Sequence, residues 1–239
     1  MEINAQMLEN RIGLPVYGYD TLDSTNDECR RRLAAGERRC LVIAETQTGG
    51  RGRSGKRFFS PRGGLYMSLA LPAPTDPAGL TCRAAVATAQ AISAVTGVEC
   101  GIKWVNDLYL EGKKICGILA EAVPGGVVLG IGVNLVPAQV PESLRDVVGF
   151  LDCGDVREAL AAEIVRELDS AAPGDRSYMD EYRRRSVVLG REVTCRMGER
   201  VFSARAIGID DEGGLIVLGP EGRETLRAGE VSLKANGAW

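Results

Sequence analysis

Gly49-Gly50-Arg51-Gly52-Arg53-Ser54-Gly55-Lys56-Arg57 holds four glycines and four cations in nine residues. Glycine admits φ > 0, permits close backbone approach and disfavours both helix and strand. The segment therefore reads as a loop. Cations on such a backbone suit closure over an anion, above all a phosphate. Two plainer readings compete: a solvated basic loop, and an Arg-Gly tract for single-stranded nucleic acid.

The loop hangs from strands. Leu41-Val42-Ile43-Ala44 is a short apolar run leading straight into it, and Gly64–Leu71 reads as a second strand stopped by Pro72 and Pro74. Residues 24–35 read as a helix, with Ser24 as N-cap, Asp27 and Glu28 in the first turn and Gly36 at the end. Asp76-Pro77 opens an Ala-rich helix to about Thr96. Gly101–Leu110 and Ile115–Val123 form a hairpin about Glu111-Gly112, and Val127–Leu135 is a further strand. After a loop over 137–152, Asp155 and Glu158 resemble a capping box for a helix to about Ser170, with another over 175–189. Beyond Gly190, short strands at Glu192–Met197, Val201–Ile209, Gly214–Leu218 and Glu224–Arg227 predict a small β-barrel. Strict βαβ alternation is missing, so the layout is an α+β main domain with a small all-β tail.

The 239 residues are 45% apolar and 26% charged, enough for a proper core. With 29 basic and 32 acidic residues, the net charge of −3 is no footprint of a duplex-DNA binder. No apolar run nears the roughly 20 residues of a membrane span, and no signal pattern opens the chain. The seven cysteines (29, 40, 82, 100, 116, 153, 195) include no C-x-x-C spacing. Zinc and thioredoxin-like readings fail, and free thiols suit a reducing cytosol. Histidine is absent. That removes Ser-His-Asp and Cys-His chemistry. What remains favours charge neutralisation and positioning over a protein nucleophile. The expectation is a cytoplasmic protein with neither a DNA nor a membrane partner.

Lys103-Trp104-Val105-Asn106-Asp107-Leu108-Tyr109-Leu110 is the second constellation. It sets a cation, an amide and a carboxylate at the start of the hairpin. Asn106-Asp107 suits a turn, and Lys113-Lys114 returns two more cations after the bend. Alone, this reads more readily as an ordinary exposed hairpin rim than as a site.

Taken together, these motifs resemble the biotin protein ligases, also called biotin–[acetyl-CoA-carboxylase] ligases. That family's Gly-Arg-Gly-Arg-x-Gly is matched by residues 50–55. Its Lys-Trp-Pro-Asn-Asp-Leu-Tyr, then Lys-x-x-Gly-Ile-Leu-x-Glu, is matched by 103–109 and 114–121, with Val105 in place of proline. Asp23–Asn26 and Gly130–Asn134 match an early Asp-Ser-Thr-Asn and a later Gly-x-x-x-Asn. Ser54, Lys56 and Phe58 stand where the family often has Arg, Arg and Trp. The resemblance implies a class II synthetase-like catalytic domain over 1–188, built of mixed or antiparallel sheet with packed helices. A small C-terminal SH3-like β-barrel over 189–239 follows. With Ser24 so near the start, the type expected is the one without an N-terminal helix-turn-helix domain.

The implied reaction joins biotin and ATP into biotinyl-5′-AMP, then passes biotin to a lysine of a biotin carboxyl carrier protein or domain. Magnesium accompanies the phosphates, and no residue is assigned to a metal. By resemblance, Lys114 bridges the biotin carboxylate and α-phosphate, Arg51 and Arg53 hold phosphate, and Lys103 and Asp107 complete the catalytic set. Asp107 orients the incoming lysine first and acts as base second. Ser24, Thr25, Asn26, Gln47 and Gly52, with Arg51, Arg53 and Lys114, are the biotin contacts. Gly50, Arg51, Arg53, Trp104, Asn106, Lys114 and Asn134 are the adenylate contacts. A homodimer through sheet edges fits the family habit. Two rivals are a lipoate–protein ligase, whose Arg-Arg-x-x-Gly-Gly-Gly is missing here, and a biotin-responsive module without turnover.

Overall fold

Period-two burial in the central strands sets the architecture. In β3 (Leu65–Leu71), Leu65, Met67 and Leu69 join one apolar cluster, while Ser68 and Ala70 face the opposite side. Strands covered on both faces read as continuous apolar runs. The same alternation runs through β2 (Cys40–Gln47) and β7 (Gly126–Val133). The computed structural model describes residues 3–72, 77–170 and 174–233 and sets these strands within a seven-stranded sheet. Its order is β1 (Val16–Leu22), β2, β3, β7, β6 (Lys113–Val123), β5 (Asp107–Leu110), β4 (Gly101–Lys103). Only β1 and β2 run parallel; the other neighbours are antiparallel.

Helices α1 (Ala5–Ile12), α3 (Pro77–Thr96), α4 (Arg157–Ser170) and α5 (Tyr178–Arg185) pack together on one face. Helix α2 (Thr25–Ala34) packs on β2, β3 and β7 from the other, over Cys29, Leu33, Cys40, Val42, Ala70 and Val128. Beyond α5, β8 (Glu192–Met197), β9 (Arg200–Ile209), β10 (Leu215–Gly219), β11 (Gly222–Leu226) and β12 (Glu230–Leu233) form an antiparallel five-stranded sheet, ordered β11-β10-β9-β8-β12. Its buried Val193, Cys195, Ala206, Leu215 and Val217 share the apolar cluster of the main sheet. Across the join, Trp104 Nε1 donates to Gly213 O at 2.8 Å and Arg183 Nε to Ile209 O at 2.8 Å.

Several expectations are corrected. α1, β1 and β12 escape the sequence reading because each buries so little: Leu8 is the one buried residue of α1, and Val16 that of β1. Asn4 accepts from Met7 N and Gly13 closes α1 in the left-handed region, which fixes the short helix locally. The extended reading of 101–110 breaks at a turn over 104–106. The helix over 175–189 shrinks to Tyr178–Arg185. The capping box does not form: Asp155 takes the Arg157 guanidinium at 2.7 Å, and Glu158 accepts from Asn4 N at 2.6 Å. Pro74 and Asp76 lie outside the described residues.

Glu45 is 3% exposed and pairs with Arg157, itself 5% exposed. Removing one partner of a buried pair strands the other charge. Arg157→Met is therefore expected to cost about 3–5 kcal/mol in urea denaturation, and Glu45→Gln added to it should recover most of the loss. An unchanged midpoint in the single variant would show that Arg62, already 3.4 Å from Glu45, compensates its charge instead.

Candidate active site

The start of α2, the end of β2, the 49–57 loop and the β4–β5 hairpin converge on a cleft of about 490 Å³. All the sequence-predicted site residues line it except Gly50. Gly50 sits where the loop turns back, and a Cβ there would strike the Phe58 carbonyl and the Ser60 hydroxyl.

One wall is polar and neutral. Thr25 donates from both N and Oγ1 to Gln47 Oε1 (2.8 and 3.1 Å), and Gln47 Nε2 donates to Ser60 Oγ at 2.9 Å. Ser68 Oγ lies 2.6 Å from Asn26 Oδ1 and 2.7 Å from Thr25 Oγ1, while Asn26 Nδ2 donates to Glu121 at 2.8 Å. Ser24 occupies the N-cap position, but its hydroxyl makes no cap bond and the residue faces the cleft. The α2 N-terminus, which the Ser24 side chain leaves uncapped, and this amide–hydroxyl array suit a neutral ligand that needs both donors and acceptors.

The floor is glycine. A Cβ at Gly132 would come within 2.5 Å of the Phe58 ring, one at Gly117 within 2.9 Å of it, and one at Gly130 would strike Asn26 Oδ1. Only glycine lets Phe58 and Asn26 approach the sheet so closely. Sequence reasoning missed this role of Gly117, Gly130 and Gly132, although their unbranched positions inside β-rich runs were the available signal.

The opposite side is cationic, and each cation has an acceptor. Arg51 Nε donates to Asp27 Oδ2 at 2.9 Å. Arg53 reaches Asn106 Oδ1 (2.9 Å) and Gly229 O (3.0 Å). Lys56 Nζ lies 2.6 Å from Glu230, and Lys114 Nζ 2.7 Å from Asp107 Oδ1. The loop thus spans from α2 to β12 as a strap, with a second cavity of about 340 Å³ on its outer side. Asp27 raises the Arg51 guanidinium pKa above the ordinary value, and Lys56 lowers that of the Glu230 carboxyl. Glu230 and Lys56 were not predicted; the β12 strand that brings Glu230 here was invisible in sequence.

The hairpin turn is clamped. Asn106 Nδ2 donates to Ile118 O at 2.8 Å and accepts Ile118 N on its own carbonyl at 2.9 Å. The Trp104–Val105 peptide is cis. Trp104 is buried with its N–H turned to the C-terminal sheet. Asn134 lines the cleft, yet its amide donates to Gly149 O at 3.0 Å and so ties down the 147–149 segment beside Lys114. Lys103 Nζ lies 3.2 Å from Tyr109 OH. Burial lowers the Lys103 pKa; Asp107 and Glu230 oppose the shift, while Lys114 and Lys56 add to it. Burial, with Asp107 second, pushes Tyr109 up to about 12.

Residues 17–136 match the biotin/lipoate A/B protein ligase family, and residues 188–234 the biotin protein ligase C-terminal domain. This chain belongs to that ligase family. A biotin–[acetyl-CoA-carboxylase] ligase of Paracoccus denitrificans is 32% identical over 234 residues, covering 87% of this chain and 96% of the relative. The ligase of that name from Mycobacterium tuberculosis is 33% identical over 211 residues, covering 80% and 79%. The solved biotin protein ligase from Aquifex aeolicus in complex with biotin and ATP has a TM-score of 0.78 at 26% identity, over 92% of this chain and 98% of that one.

Exposed ion pairs contribute about 0.2–1 kcal/mol each, so Asp27→Asn with Glu230→Gln should raise the opened fraction of the strap by roughly 2- to 30-fold. Trypsin cutting after Arg51, Arg53 or Lys56 is expected to quicken by that factor. A rate equal to that of the unaltered protein would show that the strap is held by its backbone and by the Arg53 bonds to Asn106 and Gly229.

Proposed function

We propose that this protein is a biotin–[acetyl-CoA-carboxylase] ligase. It activates biotin with ATP as biotinyl-5′-AMP and transfers it to a lysine of a biotin carboxyl carrier protein or domain. The observation that carries the reading is the junction of the neutral Ser24–Thr25–Asn26–Gln47 wall with the cations Arg51, Arg53 and Lys114 in one cleft. Biotin's ureido ring is neutral and asks for paired donors and acceptors, while a carboxylate meeting a triphosphate needs positive charge. The ligases named among its relatives, and the Aquifex aeolicus structure holding biotin and ATP, support the same reading.

In this reading the biotin carboxylate attacks the α-phosphorus and pyrophosphate leaves. Lys114 lies between the two anions, where a compact ammonium follows oxygens whose charge is changing better than a rigid fork would. Arg51 and Arg53 move from Asp27 and Asn106 onto phosphate. Oriented donors in a site closed to water stabilise the charge that develops. The strap also shields the adenylate from hydrolysis. Asp107 then orients the carrier's lysine, since a nearby carboxylate favours the ammonium form. Among the described residues no group of three or more His, Cys, Asp or Glu side chains converges as a metal site. Magnesium, which keeps several waters and leans on phosphate oxygens, needs no such cage, so in this scheme it arrives with the triphosphate. The cysteines among the described residues are free thiols, and no described helix is long and apolar enough to cross a membrane. The free thiols fit the cytoplasm we assign.

The test is incubation with biotin, MgATP and a purified carrier domain, followed by intact mass. One biotin amide per carrier is expected, with none when lipoate replaces biotin. Lys114→Ala should lower the rate by about 10²–10³-fold, the loss seen when one preorganised donor is removed. Tight biotin binding without any mass gain would support the non-turnover module instead, and a gain with lipoate alone would reassign the pocket.

A further inference from the structure

We propose that the ε-amine of Lys103 is the proton acceptor of the transfer step, taking a proton from the carrier's lysine as that lysine attacks the adenylate. The inference rests on the ligase reading above.

The cleft holds few bases. Histidine is absent from the sequence. The lining carboxylates, Asp107 and Glu230, are each already paired, with Lys114 at 2.7 Å and Lys56 at 2.6 Å. A carboxylate is also a weak base toward an ammonium, the ordinary values being about 3.9 and about 10.4. Lys103 is different. Among the described residues it is in no ion pair, and its hydrogen-bond partner is Tyr109 OH at 3.2 Å. The charged and titratable groups around it are Asp107 and Tyr109 from β5, Lys114 from β6, Lys56 from the strap and Glu230 from β12. Two carboxylates and two ammonium groups nearly offset one another, which leaves burial as the leading influence. Burial favours the neutral amine and so moves Lys103 toward the working pH, where a general base is most effective.

Its position fits the task. Lys103 pairs across the β4–β5 ladder with Asp107. Directly opposed residues on antiparallel strands are near neighbours. The acceptor therefore stands one strand from the carboxylate that orients the incoming ammonium, and that carboxylate touches the lysine assigned to the adenylate. Tyr109 OH steadies the amine and is a positioning residue.

The step balances. One proton passes from the carrier's ammonium to Lys103 Nζ. The freed lone pair forms the C–N bond at the mixed-anhydride carbonyl carbon. The C–O bond to phosphate breaks, its electron pair leaves on AMP, and the second nitrogen proton goes to the released phosphate.

The two half-reactions separate this proposal from the reading beneath it. Adenylation is followed by ATP–pyrophosphate exchange, and transfer by single turnover of biotinyl-5′-AMP with a purified carrier domain, across pH. Lys103→Arg keeps the charge but cannot deprotonate, and Lys103→Gln keeps a polar partner for Tyr109 without basicity. Both should slow transfer by about 10³-fold, the middle of the range for general base catalysis, and by at least about ten times more than adenylation. The unaltered enzyme's transfer rate should rise with pH and level off below the ordinary lysine value. In the variants it should keep rising toward the carrier lysine's own titration. Lys103→Arg with an unaltered plateau would overturn the proposal. So would equal losses in both half-reactions, which would make Lys103 a phosphate-binding cation. An unaltered enzyme inactive in both half-reactions would remove the ligase reading and this proposal with it.

Discussion

Like charges gathered in one cleft repel, and the structure answers by giving Arg51, Arg53, Lys56 and Lys114 acceptors from several elements. Arg51 is held by Asp27 of α2, Arg53 by Asn106 of the hairpin turn and Gly229 before β12, Lys56 by Glu230 of β12, and Lys114 by Asp107 of β5. Helix, turn, main sheet and C-terminal sheet must all be in place before the set is complete. The pairs at the strap are exposed enough to be weak, so an incoming polyanion can take the arginines over without a large penalty. The Lys114–Asp107 pair is more enclosed, at 25% and 23% exposed, so solvent screens it less.

The neutral wall depends on α2, the one described helix packed on its face of the sheet. That face is covered where Cys29 and Leu33 pack on Cys40, Val42, Ala70 and Val128, and where Phe58 and Asn26 lie over the strand glycines. This small satellite cluster fixes the helix start over Ser68 and the strand glycines. A side chain at Gly130 or Gly132 would push Asn26 or Phe58 off the sheet and fill the cleft. The smallest residue at the floor thus decides how deep the pocket is.

The sequence was legible where composition is extreme or order is telling. The glycine–arginine strap and the apolar strands β3, β6 and β7 stand within a residue or two of where they were expected, while β2 runs three residues further, to Gln47, and the extended 101–110 segment folds into β4, a turn and β5. Long-range register was not legible. Strand β12 is four residues long and buries only Val231, too short a pattern to mark a strand, so Glu230 could not be brought to Lys56 by reading. Asn134 matched a motif, but a motif does not say that its amide serves the backbone of Gly149. Nothing local to the glycines of β6 and β7 tells that the Phe58 ring lies over Gly117 and Gly132.

Val105 makes the same point about tertiary control. Proline, expected at that position by resemblance, would fix φ by its own ring. Here neighbours fix the segment instead. Tyr182 OH, deep in the core, donates to Val105 O at 3.0 Å; Trp104 Nε1 binds Gly213 O; Asn106 bonds Ile118 twice. These anchors come from α5, the β9–β10 turn and β6. The backbone leading into Asp107 is therefore shaped in part by the C-terminal sheet. That sheet also shares the main core and supplies Glu230 to the strap. Its contribution to the site is geometric: it holds one end of the strap and one side of the turn, so the distance between Arg53 and Asp107 is set by packing across the join.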